Sequence, residues 1–203
     1  MAEITAITPQ KKDKTRCNIE VDGRFYCGMK LDTVLANGLK AGTSVDTNEL
    51  SRLQLESEKL TALDKALKHI SVSMKTEKEI RTFLKKKGYL EDVTAYVLEK
   101  MKDYGYVDDE AYAASYVESA SKRKGSRLIQ LELKQKGVDG QVVDAALSSL
   151  EDETEAAKRC LEKYMRGKEV SEATLQKAYR NLLSKGFDYD TCKQAIKSLK
   201  DED

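Results

Sequence analysis

Three short stretches decide the fold: Leu84–Tyr89 (LKKKGY), Leu133–Val138 (LKQKGV) and Leu182–Phe187 (LLSKGF). Their glycines, Gly88, Gly137 and Gly186, are each 49 residues apart. Each stretch has the makings of a helix stop, with glycine at C′ in the left-handed conformation that a Cβ would penalise. A lysine just before it faces the negative end of the helix. Such a stop also brings an apolar residue at C″ onto one at C3, and counting from the glycines gives Tyr89 with Leu84, Val138 with Leu133 and Phe187 with Leu182. The match continues outward. Ile80, Ile129 and Ala178 align before the stop, and Val97, Ala146 and Ala195, then Leu98, Leu147 and Ile196, then Met101, Leu150 and Leu199 align after it. A fixed long period with helical spacing inside it predicts a helical repeat array.

The chain has 203 residues, 35% charged and 40% hydrophobic, with no tryptophan and one proline, which favours amphipathic helices in a thin, extended layer. Lys and Arg number 36 against 35 Asp and Glu, so any basic surface must be local. No apolar run is long enough to span a bilayer and no signal-peptide segment opens the chain, so a cytoplasmic protein is expected, without a membrane partner. Cys17, Cys27, Cys160 and Cys192 form no CxxC pair and are read as reduced thiols. If Asp22 and Gly23 make a two-residue hairpin turn, Cys17 falls opposite Gly28 and Cys27 opposite Asn18, which would point the two sulfurs to opposite faces.

Taken in order, residues 1–45 form a small β-rich segment of three antiparallel strands, with a short helix at Leu31–Leu35 ended by Asn37 and Gly38. Residues 46–104 hold a linker helix and the first three-helix repeat. Asp46 with Glu49 resembles a capping box, and Leu53, Leu60, Leu63, Leu67 and Ile70 continue an apolar stripe in one helix or two. Thr76 with Glu79 is a second capping box, opening the helix that stops at Gly88. Residues 105–151 are the second repeat, with helices near 109–122, 126–136 and 140–150, opened by Asp108 or Asp109. Residues 152–203 are the third, with helices near 153–166, 172–185 and 189–200. The fold class is therefore mainly α: three tandem three-helix units stacked in an elongated, curved array, behind a small N-terminal antiparallel β segment.

Catalysis is not expected. His69 is the only histidine, which excludes histidine pairs and an HExxH zinc site, and it reads as a structural side chain. No phosphate-cradling glycine motif occurs, and the acidic run at Asp108, Asp109 and Glu110 reads as a helix start. No cofactor and no metal are expected. The one surface feature is basic. Lys78, Arg81 and Lys85 share a stripe on the middle helix of the first unit, and Arg127, Gln130 and Lys134 repeat it 49 residues later. Gln176, Tyr179 and Leu183 replace it in the third. Lys122, Arg123 and Lys124 add a local cluster. These side chains are expected to face solvent, either as an ordinary exterior or as a surface that binds a partner.

At Lys75–Tyr89 (KTEKEIRTFLKKKGY), Gly105–Val117 (GYVDDEAYAASYV) and Lys124–Val138 (KGSRLIQLELKQKGV) the sequence resembles the RecX family of recombination regulators. The order and spacing of the blocks match, and residues 1–45 and 153–200 resemble the family's strand-rich extension and third repeat. The sequence departs from the family at Ser126, where a proline is common, and at Ser73 and Met74, where basic residues are common. The resemblance implies a non-enzymatic protein, expected to be monomeric, that binds the RecA recombinase and its filament on single-stranded DNA and inhibits or tunes strand exchange, ATP hydrolysis and co-protease activity. Lys78, Arg81, Lys85, Lys122, Arg123, Lys124, Arg127 and Lys134 are the candidate contacts to the filament or to DNA. The competing reading is a helical module that binds single- or double-stranded DNA directly.

Overall fold

Apolar and polar residues alternate in short stretches within the first thirty positions, and these stretches pair as strands. In the computed structural model, which describes residues 2–150 and 152–201, β1 (Ala2–Pro9), β2 (Arg16–Val21), β3 (Arg24–Lys30) and β4 (Ser44–Val45) form one antiparallel sheet in the order β3-β2-β1-β4. Met1, in the expected β segment, and Glu151, Glu202 and Asp203, in the expected second and third repeats, lie outside the described residues. The fourth strand adds to the three expected. At two residues it is too short to carry a period, and it is defined by its pairing, Ala2 with Val45 and Glu3 with Ser44.

The hairpin turn falls at Asp22 and Gly23, with φ of 50° and 75°, the pair of positive values that a two-residue turn requires. The register beyond it corrects the expected one. Glu20 opposes Phe25 but Ile19 opposes Cys27, so a bulge shifts the pairing by one residue, and Cys17 faces Met29 rather than Gly28. Cys17 and Cys27 consequently share the buried face with Ile19, Val21 and Met29 instead of pointing apart. Both are free thiols. The bulged residue, Tyr26, has left the ladder, and its hydroxyl lies 2.7 Å from Ser51 Oγ and 3.2 Å from Thr47 O.

After α1 (Leu31–Ala36), residues Thr47–Ile70 form one 24-residue helix, α2. Asp46 caps it by accepting from Asn48 N, while Glu49 turns to Arg52, so the expected capping box is not closed. The buried face of α2 is Leu50, Leu53, Ser57, Thr61, Ala62 and Ala66, and Leu60, placed on the apolar stripe from sequence, is 38% exposed. Two hydroxyls explain the rotation. Ser57 Oγ accepts the Lys30 N–H at 2.6 Å, and Thr61 Oγ1 donates to Ser57 O at 2.8 Å while accepting from Arg16 Nη1 at 2.7 Å. Buried hydroxyls with partners carry little penalty, and their small size lets helix and sheet approach.

The remaining helices are α3 (Glu77–Lys86), α4 (Glu91–Asp103), α5 (Asp109–Ala120), α6 (Ser126–Gln135), α7 (Gly140–Ser148), α8 (Thr154–Met165), α9 (Glu172–Ser184) and α10 (Tyr189–Asp201). They group as three three-helix repeats: the end of α2 with α3 and α4, then α5 to α7, then α8 to α10. Gly88, Gly137 and Gly186 have φ of 86°, 88° and 87°. The paired bonds of the stop are present at each, Tyr89 N to Leu84 O and Gly88 N to Lys85 O in the first repeat, with the equivalents at Val138 and Gly137 and at Phe187 and Gly186. The core of the second repeat is built from Ala113, Val117, Ile129, Leu133 and Val143. That of the third is built from Ala157, Leu161, Leu182, Phe187 and Cys192. In the first, His69 stacks on Phe83 with ring centroids 4.1 Å apart. The chain divides into two compact units, residues 1–73 with 80–106, and residues 74–79 with 107–203, so the first turn of α3 belongs with the second unit.

Candidate functional site

The N–H groups of a helix's first turn and the carbonyls of its last have no partners within the helix, and here the middle helices satisfy one another. Thr76, the N-cap of α3, donates its hydroxyl to Lys136 O at the end of α6 at 2.7 Å. One period later Gly125 N donates to Lys185 O at the end of α9 at 2.9 Å, and Arg127 N to Gly186 O at 3.3 Å. The positive end of one helix thus meets the negative end of the next. Carboxylates from the opening of the next repeat's first helix complete the caps: Asp109 Oδ1 accepts from Glu77 N at 2.9 Å, and Glu153 Oε1 from Ser126 N at 2.7 Å. Asp108 is the residue that caps α5 itself, through Ala111 N at 2.9 Å. The capping box at Thr76 is closed, with Thr76 N donating to Glu79 Oε2 at 3.1 Å and Glu79 N to Thr76 Oγ1 at 3.2 Å.

Close docking gives two of the stop glycines a second role. A Cβ at Gly137 would lie 2.4 Å from Lys78 Cδ and 2.5 Å from Lys78 Cβ, and one at Gly186 would lie 2.3 Å from the backbone nitrogen of Leu128. At Gly125 it would lie 2.3 Å from Gly186 O. Gly88 needs glycine for its conformation alone, since a Cβ there meets nothing within 4 Å.

This docking decides what the candidate basic residues do. Lys78 lays its stem against Gly137 and donates to Gln135 O at 3.0 Å, so it closes the end of α6. Arg81 pairs with Glu91. Lys124 corrects the expectation of a solvent-facing side chain: its ammonium lies 2.6 and 2.7 Å from the two oxygens of Glu132, and Tyr116 donates its hydroxyl to Glu132 at 2.6 Å. Hydrogen bonding to Glu132 raises the Lys124 pKa. Burial alone would raise that of Glu132, but its bonds from Lys124 and Tyr116 bring it below the ordinary value. Lys85, Lys122, Arg123, Arg127 and Lys134 are exposed, with Arg127 set over the Tyr189 ring at 5.3 Å. These five are separable from Lys78, itself exposed, Arg81 and Lys124, whose charged ends bond to neighbouring groups of the fold.

A further ion pair supports the docked helix. Lys136 Nζ reaches Glu79 Oε1 at 2.8 Å and sits over the Tyr112 ring. Burial pushes the Glu79 carboxyl up, yet the bonds from Lys136 and the Thr76 N–H hold it below the ordinary glutamate value, and the Lys136 ammonium is pushed well up. Sequence reasoning missed this head-to-tail linkage. Its trace was the period itself, since Thr76 and Gly125, and Lys136 and Lys185, are each 49 residues apart. Among the described residues no group of histidine, cysteine and carboxylate side chains is placed to hold a metal, and no helix is long and apolar enough to cross a membrane.

Fold and surface together define a tandem three-helix-repeat protein with an N-terminal β-sheet, in which middle helices dock end to end. Four family models match in order: the N-terminal domain of regulatory protein RecX over residues 2–46, and the first, second and third three-helix domains of RecX over 62–101, 108–147 and 151–196. The chain belongs to the RecX family. It is 32% identical over 203 residues to a regulatory protein RecX of Clostridium botulinum (strain Eklund 17B / Type B), covering 97% of this chain and 96% of that one. It is 33% identical to that of Bacillus subtilis (strain 168), covering 100% of this chain and 79% of the relative. A crystal structure of a regulatory protein RecX superposes with a TM-score of 0.70 at 29% identity, covering 98% of this chain and 100% of the other.

Proposed function

We propose that this chain binds the RecA recombinase, above all as its filament on single-stranded DNA, and restrains strand exchange, ATP hydrolysis and co-protease activity. The observation that carries the reading is the family match across residues 2–196, N-terminal sheet and all three repeats included. The protein acts as a cytoplasmic monomer, without catalysis and without a cofactor, through a surface of exposed cations. Lys122, Arg123, Arg127 and Lys134 on the second repeat, with Lys85 on the first, meet the acidic or DNA-bearing face of the filament. Lys78, Arg81 and Lys124 support that surface through the contacts they make inside the fold.

Exposed charges steer association and cost little stability when changed, so reversing them separates binding from folding. The measurement is inhibition of RecA's DNA-dependent ATPase by three double variants: Lys122→Glu with Arg123→Glu, Arg127→Glu with Lys134→Glu, and Lys177→Glu with Arg180→Glu on the third repeat. The first two should weaken inhibition on the order of tenfold, with the third matching the parent. Three folded variants that all inhibit like the parent would remove the cations from the contact.

A further inference from the structure

The end of the middle helix in the second and third repeats is a socket made from three groups. One is the carbonyl before the stop glycine, Lys136 O or Lys185 O; the second is the glycine, whose missing Cβ makes room. The third is a carboxylate from the opening of the same repeat's first helix, Asp109 or Glu153, which accepts an N–H of the incoming helix. Together they supply the acceptors that a helix's first turn lacks.

The first repeat carries the first two of these groups, and its carboxylate comes from the middle of α2 rather than from a helix opening. Lys87 stands one period before Lys136 and two before Lys185. Gly88 ends α3 with the φ of the other two stops, and the same bond closes it, Tyr89 N to Leu84 O at 3.2 Å. Glu58 on α2 stands 30 residues before Gly88, as Asp109 stands 28 before Gly137 and Glu153 stands 33 before Gly186. Where the other sockets press on a neighbouring helix, a cleft of about 470 Å³ opens beside Gly88, and its lining includes Glu58, Arg16, Thr61, Lys65, Lys87 and Tyr89.

We propose that this cleft is a third socket and that it takes the first turn of a helix from a partner protein, one whose N-cap is a serine or threonine. The occupant is fixed by the chemistry of the two filled sockets, in which a carbonyl and a carboxylate accept from a hydroxyl or from backbone N–H groups. Of the cations in the cleft, Arg16 is engaged by Thr61 and Gly28 O, Lys65 by the Tyr89 hydroxyl and Lys87 by the Phe83 ring, so a phosphate would still meet the negative end of α3 and the Glu58 carboxylate, which disfavours nucleic acid. A second copy of this chain fits less well. Its α9 is 13 residues long against 10 for α3 and α6, and the added turn moves the N-cap to Ser171, three positions before the place equivalent to Gly125. The assignment rests on the reading that the chain works by binding a protein.

Two substitutions test it in the full-length chain. Gly88→Asn keeps a residue that tolerates the left-handed conformation and puts a side chain into the cleft, and Glu58→Gln removes the charge at constant shape. Circular dichroism melts check that each is folded. Binding to RecA filaments on single-stranded DNA should fall tenfold or more for both, while Lys177→Glu binds like the parent. Folded variants that bind the filament like the parent overturn the proposal. A stapled helical peptide of residues 75–87, titrated into isotope-labelled full-length protein, tests the socket without RecA. Shifts concentrated at Glu58, Lys87, Gly88 and Tyr89, reduced when the peptide carries Thr76→Val, support it, and shifts elsewhere overturn it. If the parent fails to bind RecA, the proposed function falls and the peptide still decides the socket. A concentration-dependent oligomer in sedimentation that Gly88→Asn abolishes would assign the cleft to a second copy and overturn the partner assignment.

Discussion

Alanine placed in turn at the three stop glycines measures how the repeats are joined. All three residues have φ near 87°, so each substitution carries the cost of a Cβ in the left-handed region, about 1–2 kcal/mol. At Gly88 nothing further is added, because the new atom meets nothing within 4 Å. At Gly137 it falls 2.5 Å from Lys78 Cβ, so the first turn of α3 must give way, adding roughly 1–3 kcal/mol of overpacking. At Gly186 the obstacles are Leu128 N at 2.3 Å and Leu128 Cα at 2.9 Å, backbone that no rotamer can move. That substitution belongs at the upper end of the range, with about 1 kcal/mol more for each bond lost between Gly125 and Lys185 O or Arg127 and Gly186 O. The expected order of destabilisation is Gly88→Ala smallest, Gly137→Ala intermediate and Gly186→Ala largest. Gly137→Val exceeds Gly137→Ala, because a β-branched residue is worse still at positive φ. Urea denaturation followed by circular dichroism reads the series. Equal losses at the three sites would show that the glycines act as helix stops alone and would refute the docking argument.

Acid should loosen the docking of α3 on α6 through Glu79. Its folded pKa lies below the unfolded value of about 4.3, so its contribution is present above that pH and is lost as pH falls through the folded value; Glu79→Gln should flatten part of this loss in melts between pH 3 and 6. Thiol chemistry should be graded. Four thiols titrate after denaturation without reductant, but in the native protein Cys160, half-buried, reacts first, because burial pushes Cys27 and Cys192 up to about 11. Equal native rates for Cys160, Cys27 and Cys192 would contradict the packing.

The repeat was legible because its signal is local. A glycine at C′ with an apolar residue on either side is a requirement of one turn of chain, and it recurs at Gly88, Gly137 and Gly186 whatever surrounds it. The sheet register was not legible, because the bulge at Tyr26 answers to a contact with α2 some 25 residues away. The buried face of α2 was misplaced for the same reason: Ser57 and Thr61 go inside to meet Lys30 and Arg16, 27 and 45 residues distant, and no hydropathy period records that. Charge type was readable in the basic stripes, but engagement was not. Lys78 meets a carbonyl 57 residues on, and Lys124 folds back onto Glu132. The head-to-tail docking was hidden by a change of chemistry, a threonine hydroxyl in one repeat and a glycine N–H in the next.

The central claim, that a repeat protein of this family works on the recombinase filament, is tested most directly by binding to labelled single-stranded DNA at physiological salt, with and without RecA and nucleotide. Association should be strong only when RecA and nucleotide have formed the filament, and weak on the bare strand. Binding to bare DNA as tight as to the filament, falling steeply with added salt, would contradict the account and make the chain a DNA-binding helical module.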